Sequence, residues 1–369
     1  MGTMIDYVKK YGEYTFSEMP FNEVDALVLS QFSYMKWDGC IPELMDGKES
    51  VSILEMKEQM DDNFVFSDER YAKKNRALFY AMVDGPRFNQ IQCNYFTNII
   101  DETVETQFCA MVCFLPSTHP VVVFRGTDEN IVGWKEDFNM AFSKPVAGQR
   151  LAAIYLNQVS KCFDDSFVVC GHSKGGNFAV YSSINVNSEV QERISVIYSF
   201  DGPGFRPEIL HCEDYDKICH KISKLIPRSS LVGMLLENHE DYEVIASYNH
   251  GMMQHDPFSW KVQELEFKRV SKMDASRLVR SNAFNEWVLK LDDNQLLIFV
   301  ETLFNVLKEC DIKTTYEIQD DFKNKATQIV TAGMNLDVEL KNQMIELSKG
   351  YFENIYEGFK TKIIDKRKK

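Results

Sequence analysis

The stretch Phe167-Val-Val-Cys-Gly-His-Ser-Lys-Gly-Gly-Asn-Phe-Ala-Val-Tyr181 constrains this chain more than any other. Its β-branched start reads as a strand buried on both faces, and the residues from Lys174 onward read as a helix. Between them Gly171, Ser173 and Gly175 form a Gly-x-Ser-x-Gly turn. A side chain held on so sharp a strand-to-helix bend takes a strained backbone conformation, and its neighbours two positions away must be nearly free of side chain. The bend also sets Ser173 at a helix N-terminus, where main-chain N–H groups and the dipole favour developing negative charge. Read without chemistry, the same glycines only let a helix and a strand pack closely.

The surrounding pattern makes the strand credible. A helix is expected from the N-cap Asn22, with Val24, Leu27, Val28, Phe32 and Met35 at helical spacing. Asp84-Gly85-Pro86 marks a turn. Three β-rich runs follow, at Ile91–Ile100, Gln107–Leu115 and Val121–Phe124. The first two alternate as a half-exposed hairpin would, and the third is a continuous run suited to full burial. Beyond Trp134 helix and strand alternate: helical to Phe142, helical over Ala147–Cys162, strand Phe167–Cys170, helix from Lys174 and strand Ile194–Phe200. That order predicts a mainly parallel sheet covered on both faces. A last strand is expected at Tyr242–Ala246. After Trp260 the chain turns charged and helical, with Leu296, Val300, Leu303, Phe304 and Leu307 on one face. The predicted organisation is an α/β core over 1–260 and a helical cap or subdomain over 261–369. The terminal Lys366-Arg367-Lys368-Lys369 reads as a solvated helix end.

Composition removes whole classes of function. The chain of 369 residues carries 41 basic and 55 acidic side chains, a net charge of −14, which repels nucleic acid and anionic membranes. No window approaches the ~18 apolar residues of a spanning helix, since even Leu296–Phe304 is interrupted by charge. The N-terminus lacks the basic-then-apolar order of a signal peptide, so a cytoplasmic protein is expected. Nine cysteines contain no CxxC pair and no zinc-ligand spacing, and read as reduced, mostly buried residues. Neither metal nor cofactor is called for.

A second motif lies upstream. Val121-Val-Val-Phe-Arg-Gly-Thr-Asp128 ends a buried strand in a Gly-Thr turn, where acyl-transfer chemistry wants an oxyanion donor. The Thr127 main-chain N–H, with that of Lys174 after the nucleophile, is the expected pair of donors. Without chemistry, Arg125-Gly-Thr is a strand-ending turn.

Phe124-Arg-Gly-Thr, then Trp134 and Asp137, then Gly-His-Ser-Lys-Gly-Gly resembles the class 3 lipases of the α/β hydrolases. More closely, Gly-His-Ser-Lys-Gly-Gly-Asn with Ser199-Phe-Asp-Gly-Pro-Gly204 and Gln254-His-Asp-Pro-Phe-Ser-Trp260 resembles the bacterial Mbeg-like family of that fold. The likeness runs from about Asn22 to Trp260 by motif order. It implies an α/β-hydrolase fold and an ester- or lipid-like acyl substrate.

A serine hydroxyl needs a base, and this fold orders its triad Ser, acid, His. His119 and His172 precede Ser173, while His211, His220 and His239 precede the last expected strand. His255, in the Gln-His-Asp-Pro motif, is the expected base and His250 the alternative. Asp201, opening Asp-Gly-Pro-Gly at the end of a strand, is the expected acid, although Asp-Gly-Pro is good turn chemistry in any protein. Class 3 lipases carry their acid after the following strand; here that stretch, Leu225–Gly233, holds Ser229 and Ser230 and no carboxylate, which keeps Glu237 and Asp241 as rivals. Lys174 is the other departure: its ammonium either attracts an anionic substrate or lowers the cost of the oxyanion, or else it pairs with a local carboxylate such as Asp128 or Asp137. Trp134 and Asp137 read first as packing and capping, and second as support for the oxyanion loop.

These residues predict a serine hydrolase of the lipase or esterase type. A binding or scaffold protein retaining the fold is the alternative from a different class.

Overall fold

Strands that were expected to be buried pair into one sheet, and the elements that carry chemistry end along one of its edges. The computed structural model describes residues 1–68, 71–128, 131–140, 145–236, 241–312 and 322–367. Helices α1 (Met4–Tyr11), α2 (Glu23–Phe32) and α3 (Ala72–Asp84) come first, with a two-residue strand β1 (Val51–Ser52) between α2 and α3. Asn22 caps α2 as expected: its side chain accepts from the Val24 N–H at 2.9 Å, and Asp25 accepts from the Asn22 N–H at 3.0 Å. Every residue of α2 from Val24 to Phe32 is buried, so this helix has no solvent face.

Strands β2 (Gln92–Asp101), β3 (Thr106–Phe114), β4 (Val121–Phe124), β5 (Phe167–His172), β6 (Ile194–Phe200), β7 (Ile222–Pro227) and β8 (Tyr242–Ile245) complete an eight-stranded sheet in sequence order. Pairing is antiparallel from β1 to β4 and parallel from β4 to β8. The expected hairpin is β2–β3. The alternation read in β3 does not expose a face: residues 106–113 are all buried, with Cys109, Met111 and Cys113 on one side and Phe108, Ala110 and Val112 on the other. Helices cover both sides of the sheet here, so the small and sulfur-bearing side chains pack rather than face water. Strand β7 adds to the strands expected. Lys224 interrupts its apolar run, yet that residue is itself buried.

The crossover helices are α4 (Ile131–Asn139), α5 (Ala147–Val159) and α6 (Lys174–Ile184). Phe142, expected to end the first of them, lies outside the described residues. One face of the sheet packs on α1–α3 through Val121, Val123, Val168 and Cys170, and the other on α5 and α6 through Val122, Phe124, Phe167 and Val169. This is the expected α/β-hydrolase fold. After a short hairpin whose Val262 and Phe267 join the first core, the chain is helical: α7 (Ala275–Lys290), α8 (Asp293–Glu309), α9 (Phe322–Asn335) and α10 (Val338–Arg367). Leu296, Val300 and Phe304 are buried with Trp287, Val288 and Leu236, while Leu303 and Leu307 are partly buried beside them. No helix among the described residues is long and apolar enough to cross a membrane.

Parallel register brings the strand ends together. Phe124 pairs with Gly171, His172 with Phe200, Phe200 with Leu225, and Pro227 with Ile245. The turns after β4 to β8 therefore open at one edge, the end where α/β sheets place their ligands.

Candidate active site

Ser173 follows β5 directly, with φ +59° and ψ −130°. A left-handed backbone is costly for a residue with a side chain, of order 1–3 kcal/mol, and persists only where its surroundings hold it. They do so here by close approach. A Cβ on Gly171 would overlap the Gly175 carbonyl, and one on Gly175 would overlap the Phe124 carbonyl. The elbow thus sits hard against the turn that leads to Thr127. Ser173 occupies the N-cap position of α6, but its side chain makes no capping bond. Its hydroxyl is left for another partner.

That partner is His255, at the end of a short helical turn, Gly251–His255. Its Nε2 lies 2.9 Å from Ser173 Oγ, and its Nδ1 lies 2.6 Å from Asp201 Oδ2. Asp201 is fully buried, has φ +50°, and also accepts from the Ser230 hydroxyl and from the Gly233 N–H at 3.2 Å. An ionised carboxylate only accepts, so the Nδ1–H of His255 donates to Asp201 and the Nε2 lone pair accepts from the Ser173 hydroxyl.

Sequence reasoning missed the scaffold around this ring. Ser230, in the turn after β7, donates its hydroxyl to the buried Asp201 carboxylate in the turn after β6. The Gln254 side chain accepts from the Ser229 N–H at 2.7 Å, while the Gln254 carbonyl accepts from the Trp260 indole at 2.8 Å. His172 donates from Nε2 to the His255 carbonyl at 3.0 Å, and its Nδ1 accepts from the Tyr34 hydroxyl at 3.1 Å. The two imidazoles lie 4.7 Å apart, centre to centre. Tyr34 gave no signal in the sequence, because a tyrosine 138 residues from its partner is indistinguishable from core packing.

The rival residues lie elsewhere. His250 and Asp241 are exposed, and Glu237 lies outside the described residues, as does the side chain of Trp134. The Lys174 ammonium is buried and donates to Glu136 Oε2 at 2.9 Å, with Asp137 Oδ1 3.8 Å away. Its main partner is thus Glu136, which the sequence reading did not name; of the two carboxylates it did name, Asp128 lies 4.0 Å from the Arg125 guanidinium. Helix α4 explains the outcome, since it presents Glu136 to the sheet and holds Asp137 nearer Thr127. The Thr127 hydroxyl donates to Asp137 Oδ2 at 2.7 Å, and burial pushes the Asp137 carboxyl up to about 6 against the opposing pull of Lys174. Among the described residues, neither the Thr127 nor the Lys174 main-chain N–H has a hydrogen-bond acceptor.

The Mbeg1-like family model matches residues 82–305, more than half of the chain. The chain belongs to the Mbeg1-like family. That span takes in the Thr127 turn, the elbow, Asp201 and His255. No curated protein matches. Among solved structures, the M37 lipase aligns at 12% identity and a TM-score of 0.37, covering 58% of this chain and 70% of that one. A fungal lipase from a lipase–inhibitor complex aligns at 15% identity and a TM-score of 0.34, covering 54% and 83%.

Proposed function

We propose that this Mbeg1-like protein is a serine hydrolase that cleaves a carboxylic ester or a related acyl compound. One observation carries the reading: an unbroken hydrogen-bond chain from Ser173 Oγ through His255 to the buried carboxylate of Asp201. His255 Nε2 takes the Ser173 proton as Oγ attacks the acyl carbon, and the carbonyl π pair moves to oxygen. The Thr127 and Lys174 amides receive that oxyanion. Collapse expels the alcohol, protonated by His255, and leaves an acyl-serine. Water, deprotonated by the same imidazole, releases the acid and restores the hydroxyl. Asp201 holds the ring in the required tautomer and stabilises imidazolium.

The helical region after the core is proposed as a cap, supported by its attachment to both shoulders of the site. Lys135 in α4 pairs with Glu301 in α8 at 2.7 Å, and Phe138 packs edge-on against Phe304. On the acid side, the Leu236 N–H donates to the Asn285 side chain at 2.9 Å.

Covalent labelling by a fluorophosphonate probe tests the reading. Capture is expected at Ser173, abolished in Ser173→Ala and strongly slowed in His255→Ala. Labelling that survives Ser173→Ala rejects the nucleophile, and a wild-type protein inert to both probe and activated esters favours the scaffold alternative.

A further inference from the structure

Glu136 gathers four donors from three parts of the fold. Its Oε1 accepts from the Thr106 hydroxyl at 2.6 Å and the Gly148 N–H at 2.7 Å; its Oε2 accepts from the Gln107 N–H at 3.0 Å and the Lys174 ammonium at 2.9 Å. Lys174 and Glu136 are each 1% exposed. One carboxylate in α4 thereby joins the start of β3, the first turn of α5 and the first residue of α6. The same connection reaches the turn after β4, because the Gln107 side chain accepts from the Asp128 N–H at 3.3 Å and Asp137 accepts from the Thr127 hydroxyl.

Stability is a weak reason for such a pair. Desolvating two charges offsets most of their attraction, and apolar side chains of similar volume usually hold two helices together as well or better. What an apolar contact lacks is direction. A hydrogen-bonded ion pair fixes the relative placement of two backbones through oriented N–H···O bonds. The backbones fixed here carry the Lys174 and Thr127 amides.

We propose that Lys174, through its side chain, and Glu136 are positioning residues that hold the two oxyanion donors in register before substrate arrives. The inference rests on the serine-hydrolase reading above. It also gives the Lys174 ammonium a task other than attracting substrate, since its charge is already engaged by Glu136. The residue after the nucleophile then contributes twice, by its main-chain N–H to the oxyanion and by its side chain to the geometry of that N–H.

The test compares the wild-type protein with Lys174→Met and with Lys174→Met/Glu136→Gln, using an activated acyl ester and a trifluoromethyl ketone. The ketone adds Ser173 Oγ to its carbonyl carbon; the carbonyl π pair becomes an oxyanion and the serine proton passes to His255. Its affinity therefore reads the oxyanion donors directly. Losing the alignment of a donor of this kind is expected to lower kcat about 10- to 100-fold. KM should stay within about threefold, and ketone affinity should fall in parallel with kcat. The double variant buries no unpaired charge, but the amide NH2 introduced by Glu136→Gln is set against one of two main-chain donors, the Gly148 or the Gln107 N–H, so Tm should recover only in part while kcat stays low. A folded variant that keeps wild-type kcat and ketone affinity overturns the proposal, as does a double variant in which kcat recovers together with Tm. A wild-type protein that neither hydrolyses esters nor reacts with fluorophosphonate overturns the hydrolase reading and this inference with it. An active wild-type protein with unaffected variants overturns the inference alone.

Discussion

Replacing Asp201 by Asn changes one atom in a fully buried side chain and tests the acid without altering its shape. Three donors meet this carboxylate: His255 Nδ1–H at 2.6 Å, the Ser230 hydroxyl, and the Gly233 N–H at 3.2 Å. An amide offers one accepting end and one donating end. The Ser230 hydroxyl accepts from the Gly233 N–H at 2.9 Å and donates its own proton to Oδ1, which the same N–H also reaches, so both neighbours favour an acceptor there. The amide oxygen is therefore drawn to Oδ1, the Gly233 side, and the NH2 group to Oδ2, facing His255 Nδ1. That nitrogen must then accept, which moves the ring proton to Nε2 and leaves no lone pair for the Ser173 proton. Activity should fall by about 10³- to 10⁴-fold, equivalent to roughly 4–5.5 kcal/mol of transition-state stabilisation. Folding should barely change, because the amide fills the same volume and Asn tolerates the positive φ of this position. A Tm within about 2–4 °C of wild type is expected, the shift that 1 kcal/mol produces in a domain of 150–250 residues. The assay is kcat/KM on an activated short-chain ester, alongside the rate of fluorophosphonate labelling and a thermal melt. An Asp201→Asn protein that melts normally and keeps a tenth of wild-type activity refutes the assignment of Asp201 as the acid.

Ser230→Ala removes one donor to Asp201 and leaves the other two, so kcat should drop about tenfold with KM unchanged, the loss of one charge-assisted hydrogen bond spread over the triad; an unaltered kcat would show that Ser230 is a bystander. Asp137→Asn addresses stability rather than rate. The folded Asp137 carboxyl is raised to about 6 while the unfolded one titrates near 4, so the folded state keeps a proton that the unfolded state releases. This contribution is fully present below about pH 4 and is lost as pH rises through 6; it amounts to about 2.7 kcal/mol in all, of which about 2 kcal/mol falls between pH 4.5 and 7.5. Urea unfolding at pH 4.5 and 7.5 should show that difference in the wild type and a smaller one in the variant; equal pH dependence in both would contradict the buried carboxyl.

Much of the fold, and the residues named for half of the candidate site, were legible because they are local. Strand β5, its turn and α6 are contiguous, and the strained φ of Ser173 follows from the Gly-x-Ser-x-Gly spacing alone. The N-cap at Asn22 and the buried run of β4 are equally short-range. Asp201 could be named because the sheet is parallel, so residues just beyond successive strands share an edge whatever the length of the crossovers; the preference for His255 over His250 rested on the resemblance of Gln254-His-Asp-Pro to the Mbeg-like motif. The Lys174 partner could only be guessed, since Asp128, Glu136 and Asp137 all lie within reach in sequence and only the rotation of α4 on the sheet selects Glu136.

The amino-acid order alone determined where a nucleophile could stand, because a sharp bend between a buried strand and a helix is written in adjacent residues. Tertiary packing alone decided what surrounds it. Tyr34 under His172, Ser230 on Asp201 and Glu136 under Lys174 are contacts between segments 138, 29 and 38 residues apart. Such contacts form only when the covered sheet excludes water, so that each buried polar atom must find a protein partner, and no local pattern records which partner that is.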